Sequence, residues 1–548
     1  MRRSPAGIVH WAFDPQFGPA DRLIPRWLFL RALGAIYFSA FYALLFQVRG
    51  LIGTDGILPA SEYIDLARRS LPPSLRLWIV PTLLWFSASN AMIMAVCWAG
   101  LAASILILLN LWPRLNLFVC FICYLSFVAT ARDFSKYQSD GMLLEAGFLA
   151  LFFSPSGVRP GWGAESSPSR ASLYLLQWEW LRIYFESGII KLLSGDPEWR
   201  HFTAMDEYYQ NGPLPTWVGW YMEHLPHWFH ASTVGATLGM EIAIVLLLFF
   251  GRRARLICFF IVTPWEFGVI LTANYTFLNY LVLSLGFLLL DDGFLRRFVP
   301  PHFRMPRAAA EHEFPTPSET PISLLGNAEV SDDPQIEYRK PSHFAAFRLA
   351  LSAVMLTLVA YVTTLELIMM PFPAIPLPTA PARILEPFRI ANRYGLFAIM
   401  TRGRYEIEFQ GSNDGQTWTP YPFRYKPQSL NHPPGIYAPY QPRFDWNLWF
   451  ASLGDWQQNR FVVYTEIRLL TGSRDVLALF RGDPFGGHPP PFVRAVLWQY
   501  WFTSIREKRE TGNWWRRQLL GLYAPVLTRQ PDGKIGAIEF PQELPPHD

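Results

Sequence analysis

The most constraining stretch of the chain is an apolar segment at 172–193 that carries charged residues along its length. It is long enough to enter a bilayer as a helix, and it contains Glu179, Arg182, Glu186 and Lys191. On a helical period of about 3.6 residues, the first three of these share one face. An ionised group at a bilayer centre costs about 2.5–3.5 kcal/mol. These charges must therefore lie in a protein-lined interior, where they are paired or hydrated.

The composition places the chain among membrane proteins. Of its 548 residues, 51% are hydrophobic and only 16% are charged, and the net charge of +4 is too small to indicate nucleic-acid binding. The four cysteines lie in apolar runs, where a thiolate is disfavoured, so they predict neither a redox nor a metal site. The sequence has no Gly-x-Ser-x-Gly, Walker or His-Glu-x-x-His motif. We therefore assign no catalytic residue, no metal and no cofactor, and we expect no nucleic-acid partner.

The hydropathy pattern predicts about nine membrane spans, with Pro81 breaking a short interfacial piece from the second one. The spans are expected at 27–48, 91–111, 115–131, 141–153, 172–193, 230–250, 256–273, 277–290 and 344–370. The predicted domains are a multi-span helical membrane domain at 1–299, a polar linker at 300–343, the last transmembrane helix at 344–370, a Pro-rich spacer at 371–382 and a soluble, outward-facing β-rich domain at 383–548.

The sequence beyond the Pro-rich spacer has a different hydrophobic period from the membrane half. Residues 404–410 alternate as a strand does, the Ser-Asn-Asp-Gly sequence at 412–415 predicts a hairpin turn, and 493–502 alternates again. Residues 446–453 and 461–470 favour helix. The expected fold class is a membrane α-helical bundle followed by a soluble α+β, mainly β-sandwich-like C-terminal domain. The spacer also predicts that this domain folds independently.

Arginines in short loops predict the orientation in the membrane. Arg252, Arg253 and Arg255 crowd one tight loop, and four more arginines lie at 296–307, whereas the loop at 274–276 has no positive charge. Counting spans from these loops puts the N-terminus inside and residues 371–548 outside.

Two carboxylates at the start of the short fourth span extend the charged set. The candidate intramembrane cluster is Glu179, Arg182, Glu186, Lys191, Asp140 and Glu145. One interpretation is an internal charge network that fixes helix packing. The other is a polar cavity for a ligand or a client segment, with loop residues at its mouth that contact the client: Asp196, Glu198, Trp199 and His201.

Six stretches of the sequence carry a family resemblance. They are GLIGTDGILP at 50–59, YQSDGMLLEAGFLALFFSP at 137–155, ESGIIKLLSGDPEWR at 186–200, NRYGLFAIMTRGRYEIEFQGSNDGQTW at 392–418, APYQPRFDWNLWFASL at 438–453 and REKRETGNWWRR at 506–517. Over both halves the chain resembles the lipase maturation factor family. The resemblance implies a multi-span protein that helps secreted lipases reach their active, assembled state, and a remote tie to the membrane bundle of vitamin K-dependent carboxylases. It assigns no catalytic residue.

The first functional hypothesis is a non-enzymatic maturation factor in the lipid bilayer, whose partner is a secreted, lipase-like client protein. The alternative is a membrane enzyme that acts on a lipid or a polypeptide through a charged intramembrane cavity. Because no cysteine lies outside the predicted spans, we expect a bacterial cytoplasmic membrane with the C-terminal domain outside. The corresponding place in a eukaryote is the endoplasmic reticulum membrane, with that domain facing the lumen.

Overall fold

Helices make up the membrane half, because a backbone surrounded by lipid must satisfy its hydrogen bonds within its own segment. The computed structural model describes residues 5–300, 343–530 and 532–542, so nearly all of the linker predicted at 300–343 lies outside the described residues. The helices are α1 Pro5–Phe13, α2 Leu23–Ile52, α3 Ala60–Ser70, α4 Pro73–Ile79, α5 Asn90–Leu108, α6 Pro113–Val128, α7 Gln138–Phe153, α8 Arg170–Leu193, α9 Pro197–Arg200, α10 Ala204–Asn211, α11 Trp217–Glu223, α12 His227–Ile242, α13 Arg252–Thr272, α14 Leu278–Gly286, α15 Asp292–Leu295 and α16 His343–Met369.

Five of the described helices are long and apolar enough to cross a membrane. They are Leu23–Ile52, Asn90–Leu108, His227–Phe249, Arg252–Thr272 and Ala345–Met369. A sixth span results if the pair Leu278–Leu289 and Asp292–Phe298, bent by 96°, is taken as one. Three more predicted spans are not among these helices. Helices α6 and α7 are short, with 16 residues each, and α8 is long enough but carries buried charges. The count of nine spans is therefore not confirmed, whereas the break between α4 and α5 around Pro81 is.

The bundle is built around α2, the longest helix described. It packs against α5, α7 and α14, and the neighbours α5, α6, α7 and α8 follow one another in sequence. Close approach of α2 and α7 depends on a glycine: a Cβ at Gly147 would lie 2.0 Å from the hydroxyl oxygen of Tyr37. That hydroxyl donates to the carbonyl oxygen of Leu143 at 3.1 Å. Any larger residue at 147 would push these two helices apart.

The two ends of the bundle differ in their chemistry. At one end Arg252 pairs with Asp291, with 3.0 Å between Nη2 and Oδ1. At the other end the turn at Asn274 binds the C-terminal domain: Oδ1 accepts from the backbone N–H of Tyr437 at 2.6 Å, and Nδ2 donates to the carbonyl of Gly435 at 2.8 Å. The arginines at 252–255 and 296–297 and the C-terminal domain therefore lie at opposite ends of the molecule.

The C-terminal domain is one antiparallel sheet covered by helices. Its elements are α17 Ala380–Leu385, β1 Arg404–Ser412, β2 Thr419–Pro420, α18 Arg443–Ser452, α19 Phe461–Leu470, α20 Arg474–Leu477, β3 Phe492–Phe502, α21 Ile505–Thr511, β4 Trp515–Leu522, β5 Val526–Arg529 and β6 Ile535–Glu539. The order is β2-β1-β3-β5-β6, with β4 also paired to β3. The hairpin predicted at 412–415 is confirmed, since Gln410 lies opposite Pro420.

The expectation of a β-sandwich is wrong for the described strands, which form a single sheet. Alternation in β1 puts Tyr405, Ile407 and Phe409 on one face, and α18 and α19 cover the sheet there, against β1 and β3 respectively. Ser452 on α18 donates to the carbonyl of Tyr405 at 3.0 Å. A strand pattern specifies one apolar face but not whether a sheet or helices cover it.

The two halves of the chain share one hydrophobic core and a buried ion pair. A single buried cluster runs from Phe29 in α2 to Leu527 in β5. Within it, Arg443 of α18 reaches Asp140 of α7 with two contacts of 2.9 and 2.8 Å, and the Tyr124 hydroxyl donates to Asp140 at 2.6 Å. Both charges are almost completely buried. These contacts weigh against independent folding of the C-terminal domain, because the domain alone would leave Arg443 without its carboxylate.

We predict a strong coupling between Asp140 and Arg443. Arg443→Met should lower the free energy of unfolding by about 3–5 kcal/mol, because it leaves a buried carboxylate uncompensated. The double variant Asp140→Leu/Arg443→Met should recover much of that loss, since both charges are then gone. Thermal unfolding of the purified full chain, measured for the wild type, both single variants and the double variant, gives the coupling energy of the pair. Losses that simply add would show that the pair does not hold the halves together.

Candidate functional site

The charged face of α8 is buried along its whole length. Helix α8 begins after Ser169, whose hydroxyl accepts from the backbone N–H of Ser172 at 3.2 Å. The four charged side chains predicted on this helix are at most 2% exposed: Glu179, Arg182, Glu186 and Lys191. Because no water shields these groups, each one needs a protein partner. The partners divide the predicted cluster into separate sites.

Arg182 is paired with Glu145 of α7 and held by a segment of the C-terminal half. Its Nη1 donates to the carbonyl of Asn392 at 2.7 Å. The other oxygen of Glu145 accepts from the Asn392 backbone N–H at 2.9 Å and from the Tyr394 hydroxyl at 2.9 Å. The guanidinium also lies 5.1 Å from the centre of the Tyr394 ring. Charge-assisted bonds of this kind fix geometry as well as contributing energy.

Glu186 lies one turn along α8 and receives the same segment. Its Oε2 accepts from the backbone N–H of Tyr394 at 2.6 Å, and its Oε1 is 3.7 Å from Arg182. The neighbouring Ser187 hydroxyl accepts from the backbone N–H of Leu396 at 3.2 Å. We call Glu145, Arg182, Glu186, Asn392 and Tyr394 the docking cluster. Most of its polar atoms bind the chain itself, and none of the five residues lines the cavity beside Lys191.

Glu179 is the exception among the buried charges of α8. Its side chain is fully buried, and among the described residues neither carboxylate oxygen has a partner at ordinary hydrogen-bond geometry. Its charged neighbours are Glu145 and Arg182. Asp140, the sixth member of the predicted cluster, lies apart from it and pairs with Arg443. The structure thus joins four of the six predicted residues and assigns Asp140 and Lys191 to other sites.

Lys191 lines a cavity between α8, α12, α13 and α14. The cavity has a volume of about 230 Å³. The Lys191 ammonium group is 2.9 Å from Glu241 of α12. It donates to the carbonyl of Leu396 at 3.1 Å and lies 5.1 Å from the centre of the Trp199 ring. On the opposite wall Glu266 of α13 accepts from a tyrosine hydroxyl of α8 at 2.6 Å. This is a deep, largely apolar pocket with converging polar groups.

The loop residues predicted at the mouth are mostly engaged within the chain. Asp196 accepts from the backbone N–H of Glu198 at 3.1 Å and of Met400 at 2.7 Å, so it caps α9 and holds the C-terminal half. Glu198 pairs with an arginine at 402, at 3.0 Å. Trp199 is buried and lines the cavity. Only His201 is exposed.

Sequence reasoning missed the residues that complete both sites. Glu241 and Glu266 are the single carboxylates within the predicted spans 230–250 and 256–273, and that isolation is the signal that could have found them. Asn392 and Tyr394 carried no such signal, because they act mainly through their backbone and through partners about 200 residues away.

A bundle of apolar helices with a charged interior, carrying a docked α+β domain at one end, defines an integral membrane protein. Comparison with known proteins gives the family. The Lipase maturation factor transmembrane domain matches residues 24–297, and the Lipase maturation factor C-terminal domain matches residues 390–525. The chain belongs to the lipase maturation factor family, which confirms the resemblance in its sequence.

The relatives cover most of the chain. Lipase maturation factor 2 of Gallus gallus is 32% identical over 92% of this chain and 81% of the relative. Lipase maturation factor 2 of Homo sapiens is 31% identical over 93% and 83%, respectively. Lipase maturation factor 1 of Mus musculus is 28% identical over 96% and 91%. No solved structure matches the chain.

The docking cluster predicts different outcomes for two substitutions at Glu186. Glu186→Leu should cost about 3–5 kcal/mol, because it leaves Arg182 with one carboxylate fewer and the Tyr394 N–H unbonded. Glu186→Gln keeps an acceptor for that N–H, so it should retain most of the folded protein. Abundance in membranes and thermal unfolding measure both variants. Wild-type values for Glu186→Leu would contradict a structural role for the cluster.

Proposed function

We propose that this protein assists the folding and assembly of secreted lipase-like proteins from a fixed position in the membrane. Its relatives are named lipase maturation factors, and the match covers both halves of the chain. The docking cluster and the Asp140–Arg443 pair then have one purpose, which is to hold the C-terminal domain rigidly on the bundle. A rigid platform keeps a client-binding surface at a constant distance from the membrane.

The observation that carries this proposal is a set of exposed apolar side chains on the C-terminal domain's side of the bundle. Trp217, Tyr221, Leu225 and Trp228 are all more than a third exposed within twelve residues of α11 and α12. The Tyr221 ring lies 6.4 Å from that of Trp514, next to β4. We call the four residues at 217–228 the aromatic patch. An incompletely folded client offers the apolar surface that such a patch would bury.

We propose that the aromatic patch, with His201 beside α9, takes over the client contact predicted for the 196–201 loop. Asp196, Glu198 and Trp199 are occupied by contacts to residues 397–402. A client would have to break those contacts to use these side chains, whereas the patch is free to bind. Trp228 is the most exposed of its members, at 69%.

Truncating Trp228 tests the patch. Trp228→Ser should lower the yield of active secreted lipase about fivefold, the effect of losing about 1 kcal/mol of client affinity. The matched control is Phe298→Ser, because Phe298 is 67% exposed and lies at the arginine-rich end. Lipase activity per amount of membrane protein is the measurement. Equal losses in both variants would point to a general effect on the membrane protein.

We further propose the orientation and the domain limits. The membrane domain at 1–299 and the helix at 344–370 contribute nine spans, if α6, α7 and α8 cross the bilayer inside the bundle. The arginine-rich end then faces inward, by the positive-inside rule. The domain at 383–548 faces outward, across a bacterial cytoplasmic membrane or, in a eukaryote, into the lumen of the endoplasmic reticulum. The opposed positions of Arg252 and Gly435 in the bundle support this arrangement.

Reporter fusions test the orientation. A reporter after Gly293 should be active only on the inner side, and one in the loop at Gly435 only on the outer side, since the two glycines lie at opposite ends of the bundle. Paired alkaline phosphatase and fluorescent protein fusions report the two sides. Both reporters on one side would rule out the arrangement proposed here.

The alternative function is a membrane enzyme that acts on a lipid or a polypeptide. One observation favours it: the cavity at Lys191 brings an ammonium group and the carboxylates of Glu241 and Glu266 into one apolar pocket. Such an enzyme would bind its substrate in this cavity. The docking cluster would not contribute, because none of its residues lines this cavity.

A further inference from the structure

The cavity beside Lys191 has a polarity that the maturation role does not require. Its walls are mainly aromatic and aliphatic, contributed by α8, α12, α13, α14 and Phe397 of the C-terminal half. Its volume of about 230 Å³ is far larger than a single buried water needs. A space of this size and lining suits a chain of methylene groups.

Two side chains of the lining, Asn279 and Tyr275, have a buried polar atom without a hydrogen-bond partner among the described residues, and Asn279 is the amide. Asn279 of α14 is 4% exposed and lines the cavity. Its Oδ1 atom has no hydrogen-bond partner among the described residues. A buried acceptor left unbonded costs about 1–3 kcal/mol, so a donor group in the cavity would stabilise the Asn279 side chain. Glu266 offers a second acceptor, because the tyrosine hydroxyl bonds only to its Oε2.

The charges around the cavity select the kind of head group. One ammonium, Lys191, faces the two carboxylates Glu241 and Glu266, and the ammonium is already 2.9 Å from one of them. An anionic head group would find this cation already paired with Glu241, and a cationic head group would meet the ammonium itself. A hydroxyl meets neither difficulty and can donate to a carboxylate or to an amide oxygen, while an ester oxygen can accept from an amide N–H.

The mouth of the cavity lies on the bilayer-facing side of α13. Gly268 lines the cavity and is itself exposed, and a Cβ added there meets nothing within 4 Å. Its neighbours Phe267 and Leu271 are exposed large apolar side chains, as expected for a surface that contacts acyl chains. An amphiphile can therefore enter sideways from the membrane without crossing water.

We propose that this cavity binds one molecule of a neutral membrane lipid with a hydroxyl- and ester-bearing head group. The head bonds to Asn279 and Glu266, and the acyl chain occupies the apolar part between α8 and α13. The site is separate from the aromatic patch, so its existence does not depend on the maturation role. Binding requires no chemical step.

Photolabelling of the purified full-length protein in detergent tests the site. The probe is a monoacylglycerol with a diazirine in its acyl chain, and the competitors are monoolein, oleate and oleylamine, which share one chain length. We expect labelled peptides from α13 or α14. Monoolein should compete at least tenfold better than oleate, and better than oleylamine. Stronger competition by either charged competitor, or labelling confined to other helices, would overturn the proposal.

Two glycine variants make a matched pair. Gly268→Phe places a ring at the mouth and should reduce labelling about tenfold. Gly239→Phe on α12 adds the same side chain at another exposed helical glycine with open space around it, outside the cavity lining, and should leave labelling unchanged. Equal labelling of the two variants would overturn the proposal.

Asn279→Leu separates ligand binding from a structural role. Removing an unbonded buried amide should leave the melting temperature unchanged or raise it. Under the proposal the same variant loses the preference for monoolein over oleylamine and labels several-fold less. Wild-type labelling and selectivity in Asn279→Leu would show that Asn279 does not bind the head group and would overturn the proposal.

Discussion

Everything in this structure depends on how the buried charges of the membrane bundle are compensated. Arg182 on α8 meets Glu145 on α7, and residues 392–394 add hydrogen bonds to both side chains. One turn before Glu145 on α7, Asp140 meets Arg443. In each case the C-terminal half supplies groups that the bundle lacks. The membrane half alone would contain unpaired charges at a cost it could not sustain.

These polar contacts between the two halves of the chain explain the architecture. The segment after the last membrane helix returns to α8 before the sheet begins, and it places backbone N–H groups against Glu145 and Glu186. The sheet then builds on a support that is already fixed, with α18 anchored in the bundle through Arg443. The aromatic patch and the sheet are consequently held on one rigid body. The cavity at Lys191 lies behind the same segment, because Leu396 and Phe397 form part of its wall.

Much of the fold could be predicted from local patterns. The alternation at 493–502 became β3, the apolar period at 461–470 became α19, and the break near Pro81 separates α4 from α5. These features depend on neighbours a few residues apart, so the sequence pattern contains them. The second layer of the C-terminal domain was predicted wrongly as a sheet, because a strand's apolar face does not specify what covers it. The candidate site was found only in part, since the roles of Glu241 and Glu266 depend on their contacts with side chains of α8.

The sequence by itself determined that this chain spans a membrane, that the bilayer-length segment 172–193 carries four charges, and which family it belongs to. Only the tertiary structure decided that Glu186 and Lys191, five residues apart on one helix, serve different sites. The physical reason is distance along the chain. The cost of burying a charge depends on the residue and on the apolar sequence around it. The group that compensates the charge, in contrast, comes from about 50 to 300 residues away. No local sequence pattern indicates such a partner, and only the fold brings the charge and its partner together.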